Sequence, residues 1–180
     1  QYARYHELLW TLDEDRMRRS NAAGLVSRAH RLRGDAAGAL ELAREEQRLG
    51  KDAGSPLREA RGWMHQAEAL AASGAYVKAL ACMDAADDQM GRADYGRGEV
   101  RLGWKRAQIL LQKGDLREAD SVLHVALALA KDFQKEPELT GQVHSLGAQI
   151  AGRCGLHGEA LWHHRHPRRL TGPRPLARAP

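Results

Sequence analysis

The sequence has few cysteines, prolines and aromatic residues, and each scarcity excludes a class of structure. Cys82 and Cys154 stand 72 residues apart, which gives neither a disulfide framework nor the CxxC spacing of many metal and redox sites. We expect both to be small buried residues in a reducing compartment. Only two prolines, Pro56 and Pro137, precede residue 167, and each stands where a helix would begin. No stretch alternates β-branched or aromatic residues with polar ones, so we predict an all-α chain.

Long apolar runs and catalytic motifs are missing as well. No run approaches the ~18 residues that a membrane span needs, and Gln1 opens directly into an amphipathic pattern rather than a signal peptide. No P-loop, GxSxG or HExxH motif is present. We therefore expect a cytoplasmic protein that is not an enzyme, with no cofactor, no metal and no membrane partner. The absence of an initiating Met suggests a fragment or a processed chain.

The positive charge is concentrated at one end of the chain. The formal net charge is +5, but residues 161–180 hold five arginines and no acid, which leaves 23 basic and 23 acidic residues in 1–160. The body is therefore neutral, and we expect it not to bind nucleic acid. Residues 167–180 hold four prolines and four arginines and little apolar surface, which predicts a disordered tail. A tail that touches phosphates or acidic surfaces is an alternative.

A seven-residue segment recurs along the chain and organises the rest. Its copies begin at glycines 34, 74, 114 and 155, in steps of 40, 40 and 41 residues. A fixed period of this size indicates a repeat architecture. A glycine can end a helix in the left-handed conformation, an aspartate directly after it can cap the next helix, and a small alanine further on lets two helices approach closely. Each copy is therefore predicted to be the turn of a helical hairpin.

These positions resemble the tetratricopeptide repeat family. The second repeat carries the pattern in Trp63, Ala67, Gly74, Tyr76, Ala79 and Ala86, and the third in Ala107, Gly114, Asp115, Ala119 and Ala126. The resemblance spans roughly residues 20–166 and implies a right-handed superhelical solenoid of antiparallel hairpins, each with a helix A and a helix B. The period is longer than the family's usual one, like that of long-helix repeats in bacterial regulators. Ser27 replaces the expected small Gly or Ala.

The repeat and the resemblance together predict the following organisation, listed in chain order: a leading or capping helix in 1–19, four hairpins in about 20–54, 55–95, 96–135 and 136–166, and the tail in 167–180. Within it, Ser20 or Asn21 is expected to start the first helix A, and 91–98 is expected to be a loop. Several glycines fall inside predicted helices, where each costs ~1 kcal/mol against alanine, so we expect close helix packing at positions that include Gly62, Gly103, Gly141 and Gly147.

The resemblance also implies a protein- or peptide-binding groove on the concave face, built from helix A side chains. The corresponding residues are Asn21, Arg28, Arg61, Met64, His65, Glu68, Arg101, Trp104, Lys105, Gln108, Gln112, Gln142, Ser145, Gln149 and Arg153. Cations can bind carboxylates, amides can bond a peptide backbone, and Trp104 can anchor an apolar side chain, so an acidic partner fits. Binding should be sensitive to changes at Arg61, Trp104 and Lys105. The alternative for these residues is a polar face that solvent covers.

Other roles and other clusters remain open at this point. The chain could be a ligand- or peptide-sensing segment of a larger bacterial transcriptional or signalling regulator, and a homo-oligomer is compatible with the sequence. His157, His163, His164 and His166 include a pair at metal-binding spacing, but with no thiol or acidic partner nearby we expect an exposed polar helix end. The adjacent acids Glu45–Glu46 and Asp87–Asp88 are expected to lie on solvated helix faces.

Overall fold

The chain folds into helices throughout its described part. A computed structural model describes residues 16–93, 96–130, 137–156, 159–160 and 162–163. Within these ranges it contains no strand and seven α-helices, which are α1 Arg16–Leu32, α2 Ala36–Asp52, α3 Pro56–Ala72, α4 Tyr76–Ala93, α5 Gly96–Lys113, α6 Leu116–Ala130 and α7 Pro137–Arg153. None of the described helices combines the length and apolarity required to cross a bilayer. The all-α prediction is confirmed.

The helices form two layers. Each helix packs against the next along the chain, and the odd-numbered helices also contact one another, α1 with α3, α3 with α5, and α5 with α7. The odd-numbered helices therefore form an inner row, and α2, α4 and α6 cover one side of it. This arrangement is a solenoid of helical hairpins, in which each unit is stabilised mainly by its neighbours.

The hairpin turns follow the predicted chemistry. Backbone φ is positive at the four recurring glycines, with values of 82° at Gly34, 78° at Gly74, 96° at Gly114 and 76° at Gly155. This left-handed conformation ends each first helix at a place where a Cβ would introduce strain. Asp35 caps α2, since its side chain accepts a bond of 2.9 Å from the Gly38 amide. The glycines thus fix where each hairpin reverses direction.

Small residues directly after the turns allow close helix contacts. Ala39, Ala79 and Ala119 are each completely buried. Ser27, the polar replacement in the first hairpin, is 2% exposed, and its hydroxyl donates to the carbonyl oxygen of Ala39 at 2.7 Å. The hydroxyl is therefore tolerated in the interior because its hydrogen bond is satisfied there.

Of the helical glycines Gly62, Gly103, Gly141 and Gly147, three lie in tight contacts and one does not. A Cβ added at Gly62 would lie 2.4 Å from Gln47 backbone atoms, one at Gly103 would lie 3.0 Å from Ala126, and one at Gly147 would lie 2.6 Å from the His163 ring. At Gly141, no atom of the described chain lies within 4 Å of such a Cβ. The packing expectation for Gly141 is therefore wrong, because the glycine faces open space.

Some sequence-based boundaries differ from the structure. Helix α1 already includes residue 16 and continues through Ser20, whose buried hydroxyl donates to the Glu46 carbonyl at 3.2 Å, so the helix does not start at Ser20. Most of the predicted loop at 91–98 is helical, because α4 extends to Ala93 and α5 begins at Gly96. Cys154 is exposed rather than buried. The predicted leading helix up to residue 15 and the tail at 167–180 lie outside the described residues.

Candidate functional site

A groove runs along the inner row of helices. Its first half is a cavity of about 490 Å³ lined by residues of α1, α3, α4, α5 and α7, and its second half is a cavity of about 320 Å³ between α5 and α7. Trp104 and Gln142 line both halves, so the two cavities adjoin. We call this combined surface the groove.

The groove brings together nearly all the residues that the resemblance implies. The first half is lined by Arg28, Arg61, Met64, His65, Glu68, Arg101, Trp104, Lys105 and Gln142. The second half adds Gln108, Gln112, Ser145, Gln149 and Arg153. Asn21 lines neither cavity, because its Oδ1 accepts bonds from Arg58 at 2.5 Å and from Arg61 at 3.2 Å. Asn21 therefore holds α3 rather than facing the cavity.

A buried carboxylate, Glu68, connects three inner helices. It forms an ion pair with Arg31 of α1, whose Nε lies 3.3 Å away, and another with the Lys105 ammonium of α5, and its side chain is only 10% exposed. Burial alone would raise the pKa of Glu68, but Lys105, Arg31 and His65 outweigh burial and hold this pKa below its ordinary value. Glu68 is therefore ionised at neutral pH, and Arg31 and Lys105 are engaged within the protein.

A second buried carboxylate, Glu46 on α2, lies beneath the groove. It is 1% exposed, and its oxygens lie 2.5 Å from His65 Nδ1 and 3.6 Å from Arg61 Nη2. The Glu46 carboxylate occupies the space beside Gly24, where a Cβ would lie 2.4 Å from it. The expectation of a solvated face is therefore wrong for Glu46, because it turns inward to pair with these two side chains. Sequence reasoning missed this residue as a support of the site.

Arginines without an internal partner remain in the first half of the groove. Arg28 of α1 and Arg101 of α5 are both exposed and line the cavity, and neither forms an ion pair with any residue of the described ranges. Leu25, Leu57 and Leu139 line the same cavity, and Leu25 is 66% exposed. These three leucines are not among the residues that the resemblance implies, although their positions on the inner helices indicate them. The first half thus combines available positive charge with apolar surface.

The second half of the groove is uncharged apart from one arginine. Its walls carry the amides Gln108 and Gln112 of α5 and Gln142 and Gln149 of α7, while Leu111 and Leu146 are buried there. Arg153 donates to the Leu111 carbonyl at 3.0 Å. At the junction, Lys105 Nζ lies 4.4 Å from the centroid of the Trp104 ring, a cation–π distance. Amides can both donate to and accept from a peptide backbone.

The histidine-rich segment at the other end does not behave as the sequence suggests. His163 is 6% exposed, fits against Gly147, and its Nδ1 lies 3.2 Å from Nδ1 of His144. The expected exposed helix end is therefore wrong for His163, which packs on α7. His157, His164 and His166 lie outside the described residues. Among the residues that are described, no group of three His, Cys, Asp or Glu side chains could hold a metal ion.

Comparison with solved structures identifies the fold. A crystal structure of a Podosopora anserina putative kinesin light chain, described as having nearly identical TPR-like repeats, matches with a TM-score of 0.66. The match covers 92% of this chain and 81% of that one, at 15% sequence identity. No protein-family model matches the sequence, and no curated protein matches it. The chain therefore has a TPR-like helical-repeat fold, and at this identity the likeness extends to the fold alone.

Proposed function

We propose that this chain is a non-catalytic scaffold module that binds a segment of another protein in the groove. TPR-like repeats stack into extended concave surfaces, and such surfaces are generally used for protein interaction. The observation that carries the proposal is the combination of Arg28 and Arg101, which are exposed and form no ion pair within the described ranges, with the exposed Leu25 and the partly buried Trp104 in the same half of the groove. Polar residues that merely solvate an open face do not need this apolar neighbourhood.

The ion pairs of the groove engage some of its cations and leave others available, which favours an acidic partner. Glu68 engages Arg31 and Lys105, and Glu46 engages Arg61 and His65. Arg28 and Arg101 are left to meet carboxylates of a partner, and an arginine binds a carboxylate well because its donors match both oxygens. Leu25 and Trp104 offer apolar surface in the same half of the groove. The proposed partner is thus a peptide segment with acidic and apolar side chains.

The second half of the groove is lined by glutamine amides, which suit the backbone of the same partner peptide. An extended peptide presents unsatisfied N–H and C=O groups along its length. Gln108, Gln112, Gln142 and Gln149 can meet these groups regardless of the side chains that the peptide carries. The first half would then select the partner, and the second half would add affinity without selectivity.

A sensing segment of a larger bacterial regulator is a second candidate that uses the same groove. The observation that favours it is size, since the two halves, about 490 and 320 Å³, lie within the volume range of small-molecule sites. In that role the groove would take a short signal peptide or a small ligand. Truncation of a bound peptide would separate the roles, because a sensor would retain affinity for a fragment that fills only one half.

The proposal can be tested with a defined probe. Fluorescence anisotropy would measure binding of a labelled peptide with alternating Glu and Leu, and of a Lys and Leu peptide as the charge-reversed control. The variant Arg28→Gln/Arg101→Gln should bind the acidic peptide about tenfold more weakly, since two charge contacts are worth about 1.4 kcal/mol together. The matched control Arg44→Gln/Arg117→Gln removes the same charge from exposed residues of α2 and α6. Equal losses in both variants, or no binding of the acidic peptide by the unaltered protein, would refute the proposal.

A further inference from the structure

Glu68 is an acidic residue in the lining of a groove that is proposed to bind an acidic partner. It lies on α3, lines the first half of the groove, and forms ion pairs with cations of both neighbouring inner helices, Arg31 on one side and Lys105 on the other. A carboxylate flanked by two cations on a concave wall has the same surroundings that a bound acidic side chain would seek. Here the chain supplies that carboxylate itself.

The unpaired arginines lie one helical turn away from this ion-pair row. Arg28 precedes Arg31 by three residues on α1, and Arg101 precedes Lys105 by four on α5. Residues three or four apart lie on the same helix face, one turn from each other. The groove therefore contains two parallel rows. In one row Glu68 pairs with both cations and reduces their net charge from two to one, and in the other row both cations are available.

We propose that Glu68 is a specificity-determining residue that takes the place of a partner's carboxylate between Arg31 and Lys105. This inference depends on the proposed function, because it concerns which part of an acidic partner the groove accepts. The carboxylates of a partner are then directed to the row of Arg28 and Arg101, while the row of Glu68, whose two cations are already engaged and whose net charge is reduced to one, faces an uncharged stretch. The groove thereby gains less affinity from segments in which every residue is acidic than it would without Glu68.

The decisive measurement compares Glu68→Gln with Glu41→Gln. Both variants remove one negative charge, but Glu41 is an exposed residue of outer helix α2, outside the groove lining. The probes are the labelled Glu and Leu peptide and a labelled decaglutamate. We expect Glu68→Gln to bind decaglutamate about tenfold more tightly at low salt, since it releases two cations, and to show a steeper loss of affinity as salt is added. Glu41→Gln should bind as the unaltered protein does.

A second variant keeps the inference testable if Glu68→Gln does not fold. Glu68→Gln/Lys105→Gln removes the ion pair as a unit and leaves the net charge of the groove unchanged. It should bind the Glu and Leu peptide within about twofold of the unaltered protein, because Lys105 is already engaged in the latter. Loss of affinity here would show that Lys105 contacts the partner directly and would overturn the inference.

The outcomes separate this inference from the function that it rests on. If the unaltered protein binds the Glu and Leu peptide through Arg28 and Arg101, but Glu68→Gln gains no more affinity for decaglutamate than Glu41→Gln does, the role of Glu68 is refuted and the binding groove stands. If the unaltered protein and Glu68→Gln both bind neither acidic peptide, the proposed function and this inference are refuted together.

Discussion

Two glycines on the inner helices should respond to the same substitution in opposite directions. Gly62 of α3 faces α2, and a Cβ at this position would lie 2.4 Å from Cα and N of Gln47. Ordinary carbon contacts begin near 3.4 Å, so α2 and α3 would have to separate by about 1 Å. Gly141 of α7 has no described atom within 4 Å of its added Cβ. The substitutions Gly62→Ala and Gly141→Ala therefore differ in packing but share the same change in backbone entropy.

The balance between helix propensity and packing decides whether each substitution raises or lowers the free energy of unfolding. Alanine improves helix propensity over glycine by ~1 kcal/mol at either position. At Gly62 this gain is opposed by overpacking, which costs ~1–3 kcal/mol or more. The higher values apply here because the obstructing atoms belong to a backbone that cannot rotate away. We expect Gly62→Ala to lower the free energy of unfolding by about 2 kcal/mol and Gly141→Ala to raise it by about 0.5–1 kcal/mol.

Thermal and urea unfolding followed by circular dichroism would measure both changes. For a chain of this size, these free energies correspond to a fall in Tm of roughly 4–8 °C for Gly62→Ala and a rise of roughly 2 °C for Gly141→Ala. Hydrogen exchange should locate the loss in α2, α3 and the helices that contact them, because a repeat array weakens locally. A Gly62→Ala variant as stable as the unaltered protein, or two shifts of the same sign, would refute the packing argument.

Two further predictions concern the buried carboxylates. The pKa of Glu68 is held below its ordinary value near 4.5, so its pairing stabilises the fold above that pH, and this stability is lost as the pH falls through the folded-state pKa. Urea unfolding across pH 3–7 should therefore show a smaller acid-induced loss in Glu68→Gln than in the unaltered protein, and parallel curves would contradict the assignment. Glu46→Ala should cost about 2–3 kcal/mol in urea unfolding, because it leaves His65 and Arg61 without their carboxylate and opens a cavity beside Gly24. The double variant Gly24→Met/Glu46→Ala, which copies Met64 and Ala86 of the second hairpin, should recover most of this loss, and failure to recover would mean that the two positions do not compensate each other.

The turns and the inner faces were predictable because they depend on local chemistry. A glycine at a fixed period must end a helix, and the helical repeat then determines which side chains share a face. That Arg61, Trp104 and Gln149 share one surface is implied by the tetratricopeptide resemblance, and all three line the groove. Helix ends without such a glycine were less predictable. Gly91 and Gly98 do not interrupt their helices, since a glycine in a helix is a modest cost that packing can override.

Glu46 shows what a charge pattern alone fails to indicate. Its neighbour Glu45 pairs with Arg48 on the surface, as adjacent acids on a helix usually do. Forty residues on from Glu46 and again forty further stand Ala86 and Ala126, and both are buried. Forty residues on from Gly24 stands the larger Met64. In the first hairpin the small residue, Gly24, is on the first helix and the large residue, Glu46, is on the second, which is the reverse of the second hairpin. Aligning the repeats position by position would have indicated this difference.

The charge of the groove depends on a feature that no repeat pattern contains, the stagger between inner helices. By repeat position, Glu68 is equivalent to Arg28 and Gln108, forty residues away on either side. In the structure it pairs instead with Arg31 and Lys105, about one turn later on α1 and one turn earlier on α5. A diagonal of this kind arises because packed helices cross at an angle that the whole interface sets. The stagger determines that Glu68 pairs with Arg31 rather than with Arg28, which forms no ion pair with the described residues. The sequence could therefore indicate a basic groove, whereas the identity of its available cations follows from the helix packing.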